Sequence, residues 1–483
     1  MYKIVNLYIV FKIISSNLFI ISAALLFCVP IALHYDEQIL PFIFSSIIIF
    51  FSGLLFYLVK GAGDKNPMMQ SREAFLSVTL SWFIISLLGC LPYILSGAIP
   101  SFVNAFFESV SGFTTTGSSI LTDIESLPKS ILFWRSLTHW IGGIGIIVLV
   151  IIIMPKLHIG GYHMFTLESS LQEKILPQVK SISLRLLGIY IFLTALEMLL
   201  LLYGDMNLFE SVCHSFGTIA TGGFSPKNDS ISGYSPYIQY VIMVFMFLAG
   251  INFVIHYYLI KRKLDKIREN EELKFYLYVL LFTGLIITAT LFFKTGRSLE
   301  ISFRESFFQV ISIFTSTGYA TADYMQWPVY AWLIIFLAMF VGGCTGSTAG
   351  GIKMARHLIL IKNVKRIFRR LLHPDSVIPL RLNNRPLNDQ MNSSILSFIS
   401  VYILLFIGSS VLLVITGLDI QTALGSVASC LACMGPGIGS VGPAGNYEHL
   451  SGLAKIILPF LMLFGRLEIF PILILFTRGF WRD

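Results

Sequence analysis

Phe106-Phe107-Glu108-Ser109 leads to Phe113-Thr114-Thr115-Thr116-Gly117, and Phe307-Phe308-Gln309 leads in the same register to Phe314-Thr315-Ser316-Thr317-Gly318. Phe209-Glu210-Ser211 leads likewise to Ala220-Thr221-Gly222-Gly223, and a fourth stretch ends Ala432-Cys433-Met434-Gly435-Pro436. The glycines at 117, 222, 318 and 435 recur at intervals of 105, 96 and 117 residues, each between two apolar runs. Internal repetition on this scale decides the architecture before any single motif does.

The runs around these stretches are membrane-like. Of 483 residues, 55% are hydrophobic and 12% charged, against roughly 25% charged in an average soluble domain. Apolar segments cover about 7–33, 39–59, 73–97, 131–154, 181–203, 235–260, 274–293, 328–345, 394–416 and 453–477. Most approach or exceed the ~20 residues that cross a bilayer as a helix. Four shorter pieces, near 102–118, 207–224, 303–320 and 421–438, are too short to span and too rich in Ser, Thr and Gly to face lipid, which predicts re-entrant segments shielded by protein. The fold expected is therefore an all-α polytopic membrane protein: two N-terminal spans (1–68), then four pseudo-symmetric span, re-entrant segment, span repeats around one pore (69–165, 166–268, 269–380 and 381–483).

Charge sets the orientation. With alternate loops assigned to alternate sides, 26 of the 34 Lys and Arg fall on one side, which places that side and both termini in the cytoplasm. The cluster Lys362, Lys365, Arg366, Arg369 and Arg370 reads as a topology signal and anionic-lipid contact, with docking of a cytoplasmic partner as the sharper reading. The net charge of +8 is thus explained without nucleic acid.

The repeated endings carry the chemistry. A short helix that stops at mid-membrane needs an extended exit, and glycine permits backbone angles that turn successive carbonyls toward an axis. Four exits would stack rings of neutral oxygens able to replace the hydration shell of a monovalent cation, potassium being dehydrated more easily than sodium, and helix C-termini would add negative potential. The expected ion-binding residues are Thr115, Thr116 and Gly117; Ala220, Thr221 and Gly222; Ser316, Thr317 and Gly318; and Cys433, Met434 and Gly435.

Two further features stand out within the apolar spans. Gly342, Gly343, Gly346, Gly350 and Gly351, with Thr345, Ser347 and Thr348, interrupt the second span of the third repeat; each interior glycine costs a helix about 1 kcal/mol relative to alanine, so this stretch should unwind into a loop lining a wet or protein-covered cavity. Arg466 lies in the last apolar span, where a charge is expensive unless it faces water or a partner. Glu468, two residues on, is badly placed to pair with it along a helix. Arg135 and His139 are expected to anchor the outer end of a span, and Glu197 to have a buried partner that the sequence does not identify.

Other chemistries find little support. Cys430-x-x-Cys433 has no second pair, His158 and His163 are separated by glycines, and no nucleophile, base and orienting acid share a readable spacing, so neither a metal site nor a membrane-embedded enzyme accounts for the repeats. No Walker or Rossmann fingerprint is present, and no cofactor is expected in this chain.

Over essentially its whole length the chain resembles the TrkH subunits of the Trk/Ktr/HKT potassium-transporter superfamily. The strings that carry the resemblance are Thr114-Thr115-Thr116-Gly117, Ala220-Thr221-Gly222-Gly223-Phe224-Ser225, Thr315-Ser316-Thr317-Gly318-Tyr319-Ala320, Met434-Gly435-Pro436-Gly437-Ile438-Gly439 and Gly342-Gly343-Cys344-Thr345-Gly346-Ser347-Thr348-Ala349-Gly350-Gly351-Ile352-Lys353. Ala432-Cys433 departs from the family, which more often shows asparagines there. The resemblance implies potassium uptake across the bacterial inner membrane, potassium being substrate rather than cofactor. It implies that 342–351 is an intramembrane gate loop and that Arg466 projects into the pore below the filter. It also implies a homodimer and a TrkA-like cytoplasmic ring that binds the nucleotide. Ion-coupled symport with protons or sodium is the alternative the sequence leaves open.

Overall fold

The computed structural model describes residues 5–59, 70–148 and 175–481. His158, His163, Lys3 and most of the 60–72 and 156–185 loops lie outside the described residues. Among those described, the chain is mostly helical, and the strands it has form a hairpin, Arg381–Leu382 against Arg385–Pro386, turned by Asn383 and Asn384 at φ 50° and 62°.

Two leading helices, Leu7–Leu25 (continued by Cys28–His34) and Leu40–Leu58, pack on each other and on Ser71–Leu88. Four sets then follow. The first spans are Ser71–Leu88, Ile175–Tyr203, Glu271–Thr295 and Asp389–Ile415. The short helices are Phe102–Phe113, Leu208–Ile219, Leu299–Phe314 and Ile420–Ala432. Three of them start at capped ends: Asn207, Ser298 and Asp419 each accept a backbone N–H of the first turn through the side chain, as N-caps do. Glu37, between the leading helices, accepts the backbone N–H groups of Lys129 and Ser130 at 2.5 and 2.9 Å, which ties the leading pair to the first repeat.

The second spans depart from expectation. Among the described residues, six helices are long and apolar enough to cross a membrane, or up to eight if each bent pair is one span. The segment expected as one span over 235–260 is Pro236–Ala249 plus Phe253–Ile260, bent by 99°, and 453–477 is Gly452–Arg466 plus Phe470–Phe476, bent by 112°. In the third repeat the helix of the 328–345 segment is only Val329–Ala338; chain without helix follows until Met354–Leu372. Close approach marks all four second spans: Gly142, within the unbroken helix Lys129–Val148, and Gly250, Gly343 and Gly465, at or beside the three breaks, lie so near neighbouring backbone or side chains that a Cβ would collide or crowd, with Phe113 and Leu431 carbonyls as the obstacles for the first and last. A chain held at that distance beneath the short helices can turn away from a straight helical path only at residues that tolerate it. Glu468 and Ile469, at φ 58° and 62°, absorb the last bend, a strained conformation for a β-branched residue.

Candidate functional site: a four-part ring and the loop beneath it

The four short helices end alike. Thr115, Thr221, Ser316 and Cys433 all take left-handed backbone angles (φ 51–55°), followed two residues later by Gly117, Gly223, Gly318 and Gly435 at φ 81–88°. Between them, the N–H groups of Thr116, Gly222, Thr317 and Met434 reach back to the carbonyls of Ser111, Gly217, Ser312 and Ser429 at 2.8–3.0 Å. This is the Schellman closure, with a left-handed residue at its corner. Holding a non-glycine there costs about 1–2 kcal/mol per residue, so the same strain is retained four times over.

Aligned this way, the second repeat shifts by one residue. Gly223, not Gly222, is the counterpart of Gly117, Gly318 and Gly435, and Ala220 precedes the left-handed corner. Matching on the first glycine of a Gly-Gly pair hides the alternation of backbone angles. Glu210 likewise sits one turn too early to match Glu108, whose place is taken by His214.

The four endings close into one cycle. A Cβ on Gly117 would run into the Gly222 carbonyl, one on Gly223 into Thr317, one on Gly318 into Met434, and one on Gly435 would lie 3.1 Å from the Thr116 oxygen. Each repeat therefore abuts the next, and the fourth abuts the first. On one side of the ring, a cavity of about 240 Å³ is lined by all four glycines. The carbonyls of Thr115, Thr116, Thr221, Gly222, Ser316, Thr317, Cys433 and Met434 accept no hydrogen bond from any described residue, although these residues are buried. Buried carbonyls are nearly always paired, so two successive rungs of unpaired ones mark a place prepared for an outside ligand. The ring is not four-fold in detail: the Gly435 carbonyl is occupied by Ser118 Oγ, Ser429 Oγ and the Tyr447 hydroxyl, and the Tyr319 carbonyl by Ser312 Oγ.

The outer mouth is clasped by the exits of the first two repeats. Asn228 accepts the Ile124 N–H at 2.7 Å and donates its side-chain amide to Asp123 and its backbone N–H to Glu125, holding both carboxyls below their usual range. Lys227 bonds Glu125 at 3.3 Å.

On the opposite side of the ring lies the glycine-rich loop. Val341 and Ile352 pair at its neck, and Glu272 accepts the N–H groups of Thr345 and Ala355 at 2.6 and 3.1 Å, fixing both ends to the helix Glu271–Thr295. Its tip meets the ends of three short helices: Thr348 Oγ1 donates to the Ile219 carbonyl at 3.1 Å, the Gly350 N–H to Ser316 Oγ at 2.5 Å, and Gly350 lies against the Ala432 carbonyl. Gly342, Gly343, Gly346 and Gly351 pack in the same close-approach fashion, and Ser347 Oγ bonds the Cys344 carbonyl. Arg466 links loop to first repeat, donating to the carbonyls of Thr348 and Gly142 at 2.8 and 2.9 Å. Among the described residues Arg466 forms no ion pair; Glu468 pairs instead with Arg356 at 2.5 Å. Sequence reading missed Glu272 and Arg356, whose roles depend on which helix ends the loop happens to reach.

Arg135 and His139 are not outer anchors. Both are buried behind the ring, Arg135 against Glu108 at 2.8 Å. Glu197 is fully buried and faces the Thr218 hydroxyl. All six cysteines are free and buried; Cys433 occupies the fourth left-handed corner, and Cys430 lies one turn earlier.

The family model for TrkH, described as a cation transport protein, matches residues 38–481. The Trk system potassium uptake protein TrkH of Escherichia coli (strain K12) is 38% identical over 422 residues, covering 86% of this chain and 87% of the relative. TrkG of the same organism is 34% identical over 462 residues, covering 94% of each. The crystal structure of the potassium transporter TrkH from Vibrio parahaemolyticus superposes with a TM-score of 0.90 at 31% identity, over 98% of this chain and 99% of that one.

Proposed function

Since this chain belongs to the TrkH family of cation transport proteins, we propose that it takes up potassium through the ring of four turns, and that the glycine-rich loop with Arg466 is its gate. One observation carries the reading: four chain segments about a hundred residues apart meet cyclically and leave two rungs of buried carbonyls without donors. Neutral dipoles in rings can replace the water around a weakly hydrated cation without binding it so tightly that it cannot leave. The helix C-termini facing the inner side of the ring add negative potential where a cation would wait.

The loop and Arg466 would oppose passage. A guanidinium held by two carbonyls, with no carboxylate partner among the described residues, puts a positive charge across the cation's path. The chain would sit in a bacterial inner membrane with both termini in the cytoplasm and work as a homodimer. A TrkA-like ring, docking on the basic inner surface around Met354–Leu372 and binding the nucleotide, would release the loop; anionic lipids would contact the same basic residues. No cofactor is assigned to this chain, and the relatives' names are those of transport proteins rather than enzymes.

The test is a reversal potential in proteoliposomes with potassium opposed to sodium, and then to a proton gradient. A potential that follows potassium alone supports the ring as a selective passive path. Equal response to sodium ends the filter reading, and displacement by the proton gradient replaces the pore with coupled symport.

A further inference from the structure

Beside the ring, between the first and second repeats, a polar assembly is buried, and its Arg135 also borders the cavity that all four ring glycines line. Glu108, nine residues before Gly117, is fully buried on the first short helix. Its carboxylate accepts Ser119 Oγ at 2.9 Å, the Ile120 N–H at 3.1 Å and Arg135 Nε at 2.9 Å, so it holds the chain just after the first ring glycine. Arg135 then continues the connection to the next repeat. Its Nη1 donates to the Ser225 carbonyl at 3.3 Å, and its guanidinium lies 4.0 Å above the Phe224 ring. His139 stacks on Phe224 at 4.1 Å and 16°, accepts the Phe224 N–H at 3.4 Å through Nδ1, and fills the space a Cβ on Gly222 would need.

The place of Glu108 is a recurrent one. Counting back nine residues from each ring glycine gives Glu108, His214, Gln309 and Ser426, all fully buried. His214 bonds Ser225 Oγ at 3.1 Å and Gln309 donates to the Ala322 carbonyl at 3.0 Å, so three of the four hold an exit segment from the same helical position. Only the first repeat uses an ion pair there among the described residues, and only that pair reaches across to a neighbouring repeat's exit.

We propose that Glu108, Arg135 and His139 are positioning residues for ion selectivity: a buttress that fixes the first and second turns relative to each other and thereby sets the spacing of the carbonyl rungs. The proposal rests on the filter reading of the ring. Physical necessity favours it, because oxygens that discriminate ions by fit or field strength must be held, and these turns have no regular secondary structure to hold them. Arg135 and His139 both pack against the Phe224 ring and so restrain the second exit, while Glu108 ties the same arginine to the first.

The experiment measures potassium-to-sodium permeability ratios by bi-ionic reversal potential in proteoliposomes, with thermal stability followed in parallel. Glu108→Gln/Arg135→Gln removes both charges together and avoids leaving one buried alone. It is expected to transport but to lose about tenfold in the ratio, since small displacements of coordinating dipoles act directly on discrimination. Phe224→Leu, which keeps the ion pair and removes the stacked plate, should lose selectivity in the same direction and serves if the double variant does not fold. Gly117→Ser is the control on the ring. Wild-type ratios in the buttress variants, with a reduced ratio in Gly117→Ser, overturn the buttress and leave the filter; wild-type ratios in all of them overturn both.

Discussion

Arg466 Nη1 donates to the Thr348 carbonyl at 2.8 Å, joining the last broken span to the glycine loop of the third repeat. Nη2 does the same to Gly142 in the first. One side chain therefore ties three quarters of the protein together just inside the ring. Hydrogen bonds to charged groups contribute about 1.5–3 kcal/mol each, enough to bias a loop between two positions.

Arg466→Ala should accordingly raise flux in the absence of any regulatory subunit by roughly tenfold or more, each 1.4 kcal/mol being a factor of ten. Rubidium uptake into proteoliposomes is the assay. Unchanged basal uptake by folded protein would separate this arginine from gating.

Shortening the loop by deleting 345–349 removes Thr348 and its bonds to Ile219 and Arg466. Basal uptake should rise as in the arginine variant, and combining the two should add little, because both release one contact. Additive effects would mean that loop and arginine obstruct independently.

Gly223→Ala tests the register of the second repeat. The backbone there is at φ 81° and the new methyl would strike the Thr317 carbonyl, so an ordered ring cannot be kept. We expect loss of potassium preference in uptake competition with sodium, matching Gly117→Ser. At Gly222 a methyl would instead press on His139, behind the ring. A Gly223→Ala protein that selects like wild type would restore Gly222 as the ring glycine.

Arg356 and Glu468, at 2.5 Å, are 4% and 13% exposed and join the start of Met354–Leu372 to the bend after Arg466. Breaking a buried pair by removing one partner costs about 3–5 kcal/mol, whereas replacing both by apolar residues is often neutral. Glu468→Ala should lower the melting temperature in detergent, and Arg356→Met/Glu468→Leu should recover most of the loss. Equal destabilisation in both would show that the pair itself, rather than the stranded charge, matters.

Much of this was legible in the chain. Runs of about 20 apolar residues and four spaced glycines suffice for the repeat architecture, since membrane depth and backbone hydrogen bonding leave few alternatives. Five glycines in ten residues likewise announce a break at 342–351. The breaks at Gly250–Asn252 and Leu467–Ile469 were not announced, because their cause is proximity to other helices rather than local propensity. The register of Gly222-Gly223 was ambiguous because two glycines satisfy any pattern, while only one takes the second left-handed angle. Arg135 and His139 look like interfacial residues in a linear reading; their burial follows from how deeply the first short helix inserts beside them, a fact of packing. Glu468 could be denied to Arg466 by helical spacing, yet its partner, Arg356, lies more than a hundred positions away.

In the ring, every glycine leans on the carbonyl of the repeat that follows, and the last leans on the first. Such a closed circuit has one aperture shared by unequal members: a shift of any quarter alters its contacts with both neighbours. Opening and narrowing are thereby collective, and a defect placed in the least conspicuous quarter, the one with cysteine and methionine, should be felt by an ion as strongly as one placed in the threonine-rich quarters opposite.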